Sequence, residues 1–213
     1  MSRIWSMWGG LLFLWAQQPF EGTLTYTTKI EGAMAAQMGE MLKSQLPEKM
    51  TLFYRGTKAR SEVGDKVMIT DPEAGFVYLL SPSLKTYQKV PLHPPKETEQ
   101  QPKITKTKNK TKILGYPVEQ YLVDLNTEQG VIKMEIWATP DLKVPETTQR
   151  LNNLTRGVKV EGLPLRISMD VPGVDLKITF LATQLRRERP DESLFRIPEG
   201  YVEEEVSLEG IQK

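Results

Sequence analysis

From Phe20 onward the chain alternates. Phe20, Leu24, Tyr26 and Ile30 share one parity, while Glu21, Thr23, Thr25, Thr27 and Lys29 hold the other, as in a strand with one buried and one wet face. Further strands are predicted over Met50 to Arg55, Lys58 to Val63, Val67 to Asp71, Phe76 to Leu80 and Lys85 to Val90. Arg55-Gly56, Gly64-Asp65, Pro72 to Gly75 and Ser81-Pro82-Ser83 separate them, the spacing of an antiparallel meander. After the Pro-rich stretch Pro91 to Pro102 the pattern resumes over Lys103 to Ile113, Val118 to Leu125 and Val131 to Ala138, so no domain boundary is expected there. The clearest hairpin is the last. Leu165, Ile167, Met169 and Val171 alternate with Arg166, Ser168 and Asp170, Pro172-Gly173 turns the chain, and Val174, Leu176, Ile178, Phe180 and Ala182 alternate in return.

About a dozen short strands exceed a comfortable flat sheet, so the sheet should curl, close or fold over. Two segments follow a helical period instead. Ala33 to Leu46 spaces Met34, Met38, Met41, Leu42 and Leu46 by three and four residues ahead of Pro47. Pro145 to Arg156 has Pro in its first turn and ends at Gly157. The expected fold is mainly β with few α: a curled antiparallel sheet or half-barrel with about two helices over its concave face.

The first residues follow another rule. Arg3 precedes the apolar run Ile4 to Trp15, and Ala16 is followed by Gln17 and Gln18. That order is a secretory signal peptide. As a helix the run would rise about 18 Å, short of the roughly 30 Å hydrocarbon core. The expected organisation is a signal peptide over residues 1–16 and a single domain over 17–213, periplasmic or secreted. No Cys follows the leader to carry a lipid, so no stable membrane anchor is expected after cleavage.

Composition narrows the chemistry. The chain has 39% apolar and 26% charged residues, with 28 Lys plus Arg against 27 Asp plus Glu, as in an ordinary globular protein. A net charge of +1 supplies no overall field for nucleic acid. With no Cys and one His, thiolate and multi-histidine metal sites within one chain are excluded. His93 lies in a Leu-His-Pro-Pro loop without an identifiable nucleophile or orienting partner, and Ser81, Ser83 and Ser193 occupy turn or cap positions. The sequence therefore points away from an enzyme, and no cofactor is implied. Lys103, Lys106, Lys108, Lys110 and Lys112 interleave with Thr105, Thr107 and Thr111. Such a strand could grip phosphates or headgroups, but Lys on an edge strand also discourages edge pairing, and the second reading has the greater weight. Met34, Met38 and Met41 suit either plain core or an adaptable cover over an apolar ligand. Asp191 to Phe195 reads as a capped helical turn, and Pro198 to Tyr201 as an anchor for the C-terminus.

Several pieces occur in a known order: the leader, Phe20-Glu21-Gly22-Thr23-Leu24, Tyr54 to Arg60, Lys85-Thr86-Tyr87, Ile113 to Tyr121, Ile136 to Leu142, Ser193-Leu194-Phe195 and Pro198 to Tyr201. Together they resemble an uncharacterised bacterial envelope family, the domain of unknown function 4412, which is similar to the LolA/LolB lipoprotein-sorting superfamily. The resemblance implies a curled antiparallel sheet around a cavity that shelters acyl chains, and it brings no catalytic residues. The first expectation is an exported, non-enzymatic protein that shelters a lipid, a lipoprotein acyl chain or another apolar ligand. By strand phase its lining would be Leu24, Tyr26, Tyr54, Tyr78, Ile132, Met134, Ile136, Leu176, Ile178 and Phe180, with Met38 and Leu42 on the cover. The alternative is an envelope protein–protein interaction module with a filled interior.

Overall fold

The computed structural model describes residues 19–37, 41, 46–92, 102–127, 130–145 and 158–204. The leader, Met38, Leu42, His93 and all but the first residue of the predicted helix Pro145 to Arg156 lie outside them. The described strands are β1 (Gly22–Glu31), β2 (Lys49–Arg55), β3 (Lys58–Val63), β4 (Lys66–Asp71), β5 (Phe76–Ser81), β6 (Thr86–Pro91), β7 (Lys103–Ile113), β8 (Tyr116–Thr127), β9 (Gly130–Thr139), β10 (Leu163–Asp170), β11 (Lys177–Arg186) and β12 (Val202–Glu203). All twelve form one open sheet in the order β12-β6-β5-β4-β3-β2-β1-β11-β10-β9-β8-β7. Every pairing is antiparallel except β12 with β6.

This order forces curvature. β6 and β7 follow each other in the chain, yet ten strand spacings separate them in the sheet. In a flat sheet that is about 48 Å at about 4.8 Å per spacing. The twelve steps from Pro91 to Lys103 can reach at most about 43 Å. The sheet therefore coils until its two ends lie within reach of the connection, in the sense that strand twist favours.

The interior of the curl holds the larger core. Leu24, Tyr26, Leu52, Tyr54, Ile136, Ile167, Ile178 and Phe180 belong to one buried cluster, which Leu142, Val144, Val158 and Val160 complete. These last four come from the β9–β10 connection, in stretches with neither helix nor strand. The Phe20 amide donates to the Lys143 carbonyl at 2.6 Å, fastening this cover to the entry of β1. Two helices over the concave face are thus not what the structure shows. The one described α-helix, α1 (Ala33–Gln37), has five residues, and irregular apolar stretches do the covering. Hydrophobic period identified the buried positions but not the cover, because two-residue alternations such as Leu142-Lys143-Val144 are too short to register as an element.

The outer face carries a smaller core. Val67, Ile69, Leu80 and Phe195 are buried together there. Phe195 closes a 3-10 turn, Glu192–Phe195, whose N-cap Asp191 accepts from the Ser193 amide at 2.8 Å. Arg60 Nη1 donates to the Leu194 carbonyl at 2.8 Å and Arg55 Nη1 to the Pro190 carbonyl at 2.7 Å. The predicted capped turn and C-terminal anchor are both present, with β12 completing the anchor. The last hairpin differs from expectation at its turn: β11 begins at Lys177 rather than Val174, and the Val171 amide donates to the Leu176 carbonyl at 3.0 Å across the loop. Ser168, expected on a wet face, is buried against Thr179 with their hydroxyls 3.0 Å apart.

Candidate functional site

Strand register sorts the predicted lining. Tyr26 stands opposite Met50, Leu24 opposite Leu52, and Ile30 opposite Ile178. Phe180, Ile167, Ile136 and Tyr121 form one row across β11 to β8; Ile178, Met169, Met134 and Val123 form the next. Directly opposed residues share a face. Leu24, Tyr26, Tyr54, Met134, Ile136, Ile178 and Phe180 therefore gather on the concave face, with Ile132 packed at its margin. Leu176 is buried in the turn ahead of β11. Tyr78 is the exception. It lies in the row Phe53, Arg60, Ile69, Tyr78 and Lys89 on the outer face, where its ring sits 6.4 Å from that of Tyr87. Its phase misleads because β5 is apolar without a break from Phe76 to Leu80, so alternation does not say which side is in.

The concave face has two unlike halves. Over β1, β2 and β8 to β11 it is packed: Leu24, Tyr26 and Ile136 have 0% exposure. The Tyr26 hydroxyl donates to the Pro164 carbonyl, and the Phe20 and Tyr54 rings lie 5.8 Å apart. Burial, followed by the neighbouring Tyr54, holds the Tyr26 hydroxyl well above its ordinary pKa, and burial does the same for Tyr54. Both stay neutral at physiological pH, so this part of the floor bears no charge.

Over β3 to β6 the same face opens. One row runs Tyr54, Ala59, Thr70, Val77 and Val90, the next Leu52, Ser61, Met68, Leu79 and Gln88. Met68 and Val90 are half-buried, and Leu79 is 41% exposed. The packed floor thus continues into a partly open apolar shelf. Sequence phase missed these residues, although a signal existed: Val67, Met68 and Ile69 are successive apolar positions in a strand of six, as expected of a strand with apolar contacts on both faces.

At the far margin, Lys106 Nζ lies 2.5 Å from Glu119 Oε2, and Lys110 Nζ lies 2.8 Å from Glu119 Oε1. Hydrogen bonds from Lys106 and then Lys110 hold the Glu119 carboxyl below its usual pKa. β7, which carries these lysines, is the terminal strand of the sheet, in keeping with the edge-strand reading of the Lys-Thr run. Among the described residues no three His, Asp or Glu side chains are gathered to hold a metal.

Residues 20–201 match the sequence pattern of a domain of unknown function, DUF4412. The chain belongs to that family. No curated protein matches it. The DUF4412 chain is similar in structure to an uncharacterized conserved protein from Thermus thermophilus, at 9% identity and a TM-score of 0.50, covering 87% of this chain and 91% of that one. That likeness shows a shared fold. The structure of PNGF-II is matched at 16% identity and a TM-score of 0.49, over 87% of this chain but 31% of that one, so the DUF4412 chain spans about a third of that protein's length. A domain described as that of an outer membrane lipoprotein-sorting protein, from Vibrio parahaemolyticus, is matched at 10% identity and a TM-score of 0.29, over 83% of this chain and 88% of that one.

Proposed function

We propose that this protein is an exported, non-enzymatic binding protein of the periplasm that shelters a lipid acyl chain, or a similarly elongated apolar ligand, inside the curl. The observation that carries the reading is the shelf of Ala59, Met68, Val77, Leu79 and Val90, interspersed with the uncharged Ser61, Thr70 and Gln88, which extends an uncharged, packed floor. A chain of about 12 methylenes at roughly 0.8 kcal/mol each offers about 10 kcal/mol of gross driving force before ordering costs. Export is supported by the leader over residues 1–16. Among the described residues no helix is long and apolar enough to cross a membrane.

The complete burial of Leu24, Tyr26 and Ile136 beneath the protein's own Leu142 and Val160 favours a second reading, an envelope interaction module with a filled interior. Native mass spectrometry of the exported protein, with organic extraction and titration of a fluorescent fatty acid, separates the two. Sheltering predicts a stoichiometric lipid and a saturable site that Met68→Glu weakens and Lys89→Gln, on the outer face, leaves intact. A bare mass after lipid incubation, with no saturable probe binding, overturns it.

A further inference from the structure

β7 is bonded to β8 along one edge, and all its residues but Thr107 and Ile113 are exposed. The turn that follows fixes which of its backbone groups meet solvent. Leu114 and Gly115 take φ +51° and +83°, the left-handed pair of a two-residue hairpin turn, so Ile113 and Tyr116, opposite each other in the register, exchange both main-chain bonds. The bonding then alternates. Thr111 bonds to Val118, while Lys112 and Lys110 stand in non-bonded pairs with Pro117 and Glu119 and turn their own amides and carbonyls to the open edge. Pro117, with no amide to give, suits such a pair.

Charge is concentrated on the same stretch. Lys110 Nζ lies 2.8 Å from Glu119 Oε1, and Lys106, beyond the bulge, holds Glu119 at 2.5 Å and Glu161 at 3.3 Å. Thr107 Oγ1 and Asn109 Nδ2 both donate to Gln120 Oε1, at 2.9 and 2.7 Å, which pins the bulge between them. Lys108 and Lys112 are exposed and make no ion pair among the described residues. From Lys106 to Lys112 four ammoniums therefore have two carboxylates, Glu119 and Glu161. Asp124 stands opposite Lys103 at the other end of β7, and Asp141 follows β9, two strands away. The surplus positive charge sits where the backbone is open.

Two properties select the occupant. The lysines take carboxylates from their own chain, and the edge beside them offers amides and carbonyls in a row, which an extended main chain pairs in register. Lys110 and Lys112 share a face and stand about 6.8 Å apart at about 3.4 Å per residue, the spacing of alternate side chains on an added strand. A directly opposed residue shares that face, and opposite charges there attract. A second copy of β7 would set lysine against lysine and is refused. An acidic strand is not.

We propose that the open edge of β7 receives an extended acidic segment of a partner protein as an added strand, paired along Lys110 to Lys112. This edge lies apart from the shelf, and the inference does not depend on the sheltering reading. The test is titration of the exported protein with a short fluorescent peptide of alternating Glu and Val. Binding should be saturable and weaken with salt. Lys112→Arg should retain it, and Lys112→Gln should weaken it about threefold, the worth of one opposite-charge cross-strand pair. Lys112→Pro, which also removes the outward amide but no bond to β8, should weaken it about tenfold. Should urea unfolding show that the Pro variant is misfolded, peptides N-methylated at alternate amides decide instead: methylation of one alternate set should abolish binding, and of the other set should spare it. Absence of saturable binding, equal binding of an alternating Lys and Val peptide, or indifference to both sets of N-methyl groups would each overturn the proposal. Flotation with phosphatidylglycerol vesicles in place of peptide binding would also overturn it and assign the lysines to a membrane.

Discussion

Leu142 decides whether the irregular cover is a true part of the core. It is 2% exposed and belongs to the same cluster as Leu24 and Ile136, yet it sits in no regular element. If the cover is core, Leu142→Ala loses the transfer energy of the removed atoms and leaves a void, together about 2–5 kcal/mol for a buried leucine. For a chain of this size each kcal/mol moves the melting temperature by roughly 2–4 °C, so a loss of about 3 kcal/mol lowers it by roughly 6–12 °C. Urea unfolding is the assay. Trp137, the single tryptophan beyond residue 16, packs against this cluster with its Nε1 donating to Glu135, so its fluorescence follows the core. The midpoint should fall at an unchanged slope. A loss below about 1 kcal/mol, less than any well-packed buried leucine should show, would refute the argument and mean that the Leu142 stretch rests on the sheet without being part of it.

Gly162, where the connection rejoins the sheet at φ +88°, should reject alanine: the added Cβ would fall 1.9 Å from the Thr139 carbonyl oxygen. Gly162→Ala should therefore cost more than about 2 kcal/mol in the same assay, beyond the conformational penalty alone, whereas Gly75→Ala, with nothing within 4 Å, should show only that penalty. Asp71 should make stability acid-sensitive. Burial raises its pKa, but Lys58 Nζ at 2.6 Å and the Ala74 and Glu73 amides outweigh this and leave it below its ordinary value. A lowered folded pKa contributes stability above the unfolded value of about 3.9 and loses it as pH falls through the folded value. Denaturation midpoints should drop as pH decreases below about 4, and Asp71→Asn should flatten that drop; a parallel profile in the variant would show that Asp71 is not the group responsible.

Local pattern determined much about this protein. Period-two alternation located eleven strands, two of them, Lys58 to Val63 and Lys103 to Ile113, with the bounds observed, because a half-buried strand must write its two faces into successive residues. It also brought Leu24, Tyr26, Tyr54, Met134, Ile136, Ile178 and Phe180 to one face. Where both faces are apolar, the code loses its phase. Tyr78 was therefore assigned inward while the register puts it outward, and Met68 and Leu79 of the shelf went unseen. What only the tertiary structure decided was non-local. Strand order placed β6 and β7, neighbours in the chain, toward opposite ends of the sheet, and a connection shorter than the flat span then required the curl. The cover came from short apolar pairs around Leu142 and Val160 whose burial depends on where the β9–β10 connection crosses, not on their own period.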